Sequence, residues 1–198
     1  MPLSSADIMT RMDDMVLKAM AKWPNVPHCY GWLGLDARGN WWLRDAAAQA
    51  AGAFAGGAAG AKGSRLEHAG LIDFIGRNYG HDDASQWFFQ NGPQRVYVEL
   101  EATPWIWRVA EGGTVHAHTG APARVQQVLT DEAGRVYLHT SGGFGLVHTQ
   151  DVPAVADLVE CGGAWEPQAV RAADLPARFS YVTSPQARHA TALVDTSK

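Results

Sequence analysis

Apolar and polar positions recur in two rhythms along this chain, and each rhythm predicts a kind of element. Between Ser5 and Lys22, Ile8, Met9, Met12, Met15, Val16, Ala19 and Met20 fall at helical spacing. Ser4 and Ser5 offer caps, Asp7 lies near the positive end of the helix dipole, and Trp23-Pro24 supplies the stop. The Met-rich stripe reads as packing against the rest of the fold. Two short apolar runs within Tyr30 to Arg44 flank Asp36-Ala-Arg-Gly39, which predicts a hairpin with Gly39 at positive φ. Residues 45–62 hold ten Ala and four Gly in eighteen positions, with Phe54 as the one large side chain. They predict a short helical turn after Asp45, then a mobile linker. Ser64-Arg-Leu-Glu67 has the spacing of a capping box. Leu66, Leu71, Ile72, Phe74, Ile75 and Tyr79 give the helix that follows its apolar face, and Asn78 or Gly80 closes it.

From Trp87 the rhythm changes to two. Trp87–Gln90, the Asn91-Gly92-Pro93 turn and Arg95–Glu101 make the clearest hairpin signal, with Val96, Val98 and Leu100 on one face. Thr103-Pro104 breaks it before a strand over Trp105–Val109. Further strands are expected at Val115–His118, Val125–Thr130, Arg135–Thr140 and Phe144–His148. Asp151 is placed to cap a helix through Val159 with Pro153 in its first turn, and Thr183–Lys198 reads as a frayed tail.

Arg95-Val-Tyr-Val and Arg135-Val-Tyr-Leu each follow a Gly-containing turn. Leu35-Asp-Ala-Arg-Gly-Asn-Trp and Leu129-Thr-Asp-Glu-Ala-Gly-Arg-Val-Tyr are similar turn units. The fold class predicted is therefore α+β: duplicated antiparallel β-meander units covered by a few helices. The boundaries are 1–110 for the N-terminal helix and first meander with its inserted helix, 111–182 for the second meander with a short helix, and 183–198 for the tail. The order Leu35-Asp-x-x-Gly-x-Trp, the helix from Gly63 to Tyr79, Trp87-Phe-Phe and Val96-Tyr-Val-Glu-x-Glu-x-x-Pro-Trp105 resembles a group of uncharacterised proteobacterial domain-of-unknown-function proteins. The resemblance covers Tyr30 to Val109. It implies repeated β motifs with a helix between them and a role in signal transduction. It carries no functional residue across.

Composition narrows the function classes. At 46% apolar and 18% charged residues, the 198-residue chain has the makings of a core and is not disordered. A formal charge of −4 lacks the basic footprint of a duplex-DNA binder, and no apolar run is long enough to predict a membrane span. Cys29 and Cys161 make no disulfide framework, and Met1 to Met15 carries Asp7, Asp13 and Asp14 with no apolar segment. A cytoplasmic protein is expected.

Candidate chemistry is sparse. His116-Ala-His118 puts two imidazoles on one side of a strand, so with His139 or His148 they predict a metal site. The run resembles the His-x-His of cupins but lacks their following Glu. Arg95, Tyr97, Trp105, Trp107 and Arg108 form a candidate aromatic-basic ligand surface. Glu99 and Glu101 on the face of Arg95 oppose its use for single-stranded nucleic acid. His28-Cys29 is poorly placed as a nucleophile pair, Ser141 is outside any nucleophile elbow, and His81-Asp82-Asp83 reads as a solvated turn rather than an acid–base cluster. The leading expectation is a cytosolic binding or regulatory module for a small molecule or protein, with no membrane or nucleic-acid partner and its cofactor unknown. The alternatives are a metal-dependent enzyme centred on His116 and His118, and a single-stranded nucleic-acid binder.

Overall fold

Five tight turns of one design recur among the described residues. In the computed structural model, which describes residues 13–195, the amide N–H at the first turn position donates to the carbonyl four residues on. This joins Asp36 to Asn40, Asp82 to Gln86, Ala110 to Thr114, Ala117 to Ala121 and Asp131 to Arg135 at 2.8–3.1 Å. The fourth residue of each turn is left-handed: Gly39, Ser85, Gly113, Gly120 and Gly134 have φ of 81°, 62°, 82°, 84° and 74°. In three of the five the leading Asp locks the loop. Its Oδ1 accepts the N–H of Asn40, Gln86 or Arg135 at 2.9 Å. Its Oδ2 accepts an aromatic donor at 2.9 Å: Trp42 Nε1–H on Asp36, the Tyr97 hydroxyl on Asp82, the Tyr137 hydroxyl on Asp131. The sequence pattern shows two of these units. The third hides behind Ser85 where the others have Gly.

The described residues form two compact units, 13–36, 40–101 and 182–195 in one, 37–39 and 102–181 in the other. The first unit holds helices α1 (Asp14–Lys22), α2 (Ala46–Ala50), α3 (Ala69–Arg77) and a C-terminal helix, Pro185–Asp195. Its strands are β1 (Cys29–Leu35), β2 (Trp41–Leu43), β3 (Ser64–Arg65), β4 (Tyr79–His81), β5 (Trp87–Asn91) and β6 (Gln94–Leu100), in the order β3-β2-β1-β6-β5-β4. The second unit holds β7 (Trp105–Val109), β8 (Val115–Ala117), β9 (Pro122–Ala123), β10 (Val125–Thr130), β11 (Val136–Thr140), β12 (Gly143–Val147) and β13 (Pro167–Ala169), with α4 (Val152–Glu160) and α5 (Leu175–Arg178). Its order is β13-β10-β11-β12-β7-β8-β9. The two sheets share a six-strand topology, and β13 adds a seventh strand beside β10 in the second. Each is a pair of three-stranded meanders whose last strand lies parallel beside the first: β6 on β1, β12 on β7. The architecture is mixed α+β.

In the first sheet, alternation and register put Leu33, Leu35, Trp41, Leu43, Phe89, Val96, Val98 and Leu100 on a front face toward α3. Phe74 of α3 meets Phe89 edge-on at 5.4 Å. The back face carries Phe88 and Tyr97, which bury Val16 of α1, and Gly34, where a Cβ would come within 2.5 Å of Phe54.

Several elements differ from the sequence expectation. Residues 45–62 are not a loose linker: α2 is capped by Asp45, and Phe54 and Ala61 are buried. The capping box does not form, because Ser64 pairs with Leu43 in the sheet, and His68 Nδ1 caps α3 through the Leu71 N–H. Asp151 precedes α4 but turns its carboxylate onto Arg108 and the Val109 N–H instead of the helix. Trp105–Val109 pairs in the second sheet. The 183–198 segment carries the C-terminal helix, named α6 here, and the predicted caps Ser4 and Ser5 lie outside the described residues.

Candidate functional site

The structure divides the five predicted ligand residues between the two units. Arg95 and Tyr97 sit on the back of the first sheet. Arg95 lies 4.5 Å over the Phe88 ring, and Tyr97 is buried in a stack with Tyr30 (4.5 Å) that His189 of α6 extends (Tyr30 to His189, 4.1 Å). Burial pushes the Tyr97 hydroxyl well above its ordinary range. Trp105 and Trp107 belong to the second sheet, stacked at 5.8 Å and buried to 4% and 1% exposure. Gly145 of β12 fits beneath them, where a Cβ would come within 2.6 Å of Trp107 Nε1. Trp107 Nε1–H donates to the Leu138 carbonyl at 3.2 Å. Arg108 is clamped by both oxygens of Asp151 at 2.6 and 3.0 Å.

The histidines do not assemble either. His116 is exposed, while His118 packs 5.7 Å from Trp105 with its Nδ1 accepting the Ile106 N–H. His139 packs on Phe179, where burial holds its pKa below the ordinary value, and His148 Nδ1 caps the Gln150 N–H. His139 on β11 is three strands from His116 on β8, roughly 14 Å at about 4.8 Å per strand. Zn–N bonds need about 2 Å. Among the described residues no group of three or more His, Cys, Asp or Glu is placed to hold a metal.

A cavity lies on the front of the first sheet. It has a volume of about 570 Å³, lined by Trp32, Leu33 and Leu43 of the β1–β2 hairpin, Phe89 and Val96 of β5 and β6, and Leu71 and Ile75 of α3. Arg44, Asp45, Gly63, Ser64 and Asn91 complete the lining. Trp32 and Leu43 are 50% and 46% exposed at its lip. A bulge aims Trp32 there: β1 takes four residues from Cys29 to Leu33 while β6 takes two from Val96 to Val98. Gly31, at φ 79°, makes the bulge possible. Tyr30-Gly31-Trp32-Leu33 breaks the alternation of its strand, and that break was the sequence signal for this site.

A buried polar cluster behind the sheet fixes the bulge. The Arg44 side chain is 1% exposed, and its Nη1 donates to the Gly31 carbonyl (3.2 Å) and to Gln186 Oε1 of α6 (3.3 Å). Its Nε and Nη2 donate to the carbonyls of Ala61 (2.7 Å), Ala48 (3.4 Å) and Gly52 (2.6 Å), so the Ala/Gly segment wraps around the guanidinium. Glu99 accepts the Ser184 hydroxyl and the Gln186 N–H at 2.5 and 2.9 Å, anchoring the start of α6. Burial raises the Glu99 pKa, against which Ser184, Gln186 and Arg44 act in the other direction.

The sequence profile of a family described as "Protein of unknown function (DUF2946)" matches residues 12–186. The chain belongs to this family. No curated protein matches the chain. Among solved structures, a DUF1285 family protein from Silicibacter pomeroyi DSS-3 is similar with a TM-score of 0.44 and 14% identity, over 70% of this chain and 75% of that one. A DUF1285 family protein from Shewanella baltica OS155 is similar with a TM-score of 0.44 and 16% identity, over 68% of this chain and 95% of that one.

Proposed function

We propose that this chain is a binding module that takes a small molecule with an apolar body in the front cleft of its first sheet. The observation that carries the reading is a cavity of about 570 Å³ lined by seven large apolar side chains and lipped by the half-exposed Trp32 and Leu43. Small-molecule sites commonly span about 300–1,000 Å³ and are mostly apolar with a few polar groups. A Trp held half in solvent by a bulge gains most when a ligand covers it. A binding role also agrees with the state of the carboxylates, since Asp36, Asp82 and Asp131 are engaged in turns.

The test uses Nile red, an uncharged dye that brightens in apolar surroundings. The wild-type chain is expected to bind it with saturable, single-site enhancement. Leu43→Arg places a charge on the exposed lip and is expected to abolish the enhancement while the thermal midpoint stays within a few degrees. No enhancement by the folded wild type, or equal enhancement by the variant, would remove the cleft as the site.

A further inference from the structure

The polar rim of the cleft is electrostatically one-sided. Of its polar lining residues, Arg44 turns its guanidinium behind the sheet and donates to Gly31, Gln186, Ala61, Ala48 and Gly52. Ser64 and Asn91 are neutral. Arg65 follows Ser64, but register sets Ser64 beside Leu43 and Arg65 beside Trp42, so alternation turns Arg65 away from the cleft. Lys62 is tied to Glu101 at 2.6 Å. The charged side chain that remains at the lining is Asp45, exposed, with Oδ1 accepting the Ala48 N–H at 2.8 Å. Trp32 stands close by: the Arg44 N–H donates to its carbonyl at 2.9 Å, and Asp45 is the next residue. A half-exposed indole and a carboxylate lining the same cleft attract cations by the ring quadrupole and by charge, and repel anions.

Resting on the cleft as the binding site, we infer that its ligand is a cationic amphiphile. The apolar body lies between α3 and the sheet, and an ammonium group lies at the Trp32–Asp45 end. The anionic counterpart, a carboxylate on the same chain, is rejected because no side-chain cation of the lining is available to receive it.

Three probes of equal chain length separate these statements: decylammonium, decanol and decanoate, titrated calorimetrically into the full chain below micelle formation. Decylammonium is expected to bind about tenfold tighter than decanol, and decanoate weakest. Asp45→Asn keeps the helix cap, because Asn caps as well as Asp, and is expected to erase the preference for decylammonium while leaving decanol unchanged. Trp32→Leu keeps an apolar lip and is expected to cut decylammonium affinity several-fold more than decanol affinity. Decanoate binding as tightly as decylammonium, or a preference that survives Asp45→Asn, would overturn the cationic ligand while leaving the cleft as the site. Failure of all three probes to bind would overturn both.

Discussion

Asp131 shows what a single side chain does in this fold. Burial raises its pKa, but the Arg135 N–H, the Tyr137 hydroxyl, the Arg135 guanidinium and the Ala133 N–H together outweigh that and hold it below the ordinary range. Removing the carboxylate strands a buried hydroxyl and two amide donors. Asp131→Ala is therefore expected to cost about 2–4 kcal/mol, and Tyr137→Phe about 1 kcal/mol, in urea unfolding. Asp82, with the same contacts to Gln86, Ala84 and Tyr97, should respond alike. A loss below about 0.5 kcal/mol for both Asp→Ala changes would return these carboxylates to chemistry rather than structure. Ser85 explains why the Asp82 unit escaped the sequence reading: a left-handed Ser carries no mark, whereas Gly39 and Gly134 announce their turns.

At the scale of elements, the Ala/Gly segment and α6 act together through Arg44. Deleting residues 50–59 removes the buried Phe54 and the Gly52 carbonyl that receives Nη2, and is expected to cost at least about 3–5 kcal/mol, lowering the unfolding midpoint. An unchanged midpoint would make the segment a passive linker after all. Glu99 gives the α6 anchor a pH signature. Its carboxyl holds a proton more tightly folded than unfolded, so its contribution is full below the unfolded value of about 4.3 and declines as pH rises through the folded one. Asp131 and Asp151, held low, have the opposite sign. The stability of wild type relative to Glu99→Gln should thus fall as pH rises above about 4, as read by urea unfolding. A difference that does not move with pH would contradict the buried carboxylate. Strands and α3 were legible because period-two and helical patterns report burial. The collapse of 45–62 was not, since its partners are backbone carbonyls gathered by one arginine, and no side-chain pattern encodes them.

For the molecule as a whole, the repeated turn units go with a repeated order of six strands in both sheets, to which the second adds β13 beside β10. What separates the two sheets around their tryptophans is local. In the second, glycines of β12 fill the space against Trp105 and Trp107. In the first, a bulge lifts Trp32 over a cleft. The sequence drew attention to Trp105 and Trp107 because alternation along Trp105–Val109 implies one exposed face, whereas every residue of that strand except Arg108 is buried. Indole NMR during a decanol titration tests the central claim most directly, since each of the eight tryptophans has its own Nε1–H signal. A saturable shift of the Trp32 signal is expected, with those of Trp105 and Trp107 unmoved. Shifts of Trp105 or Trp107 with Trp32 silent would contradict it.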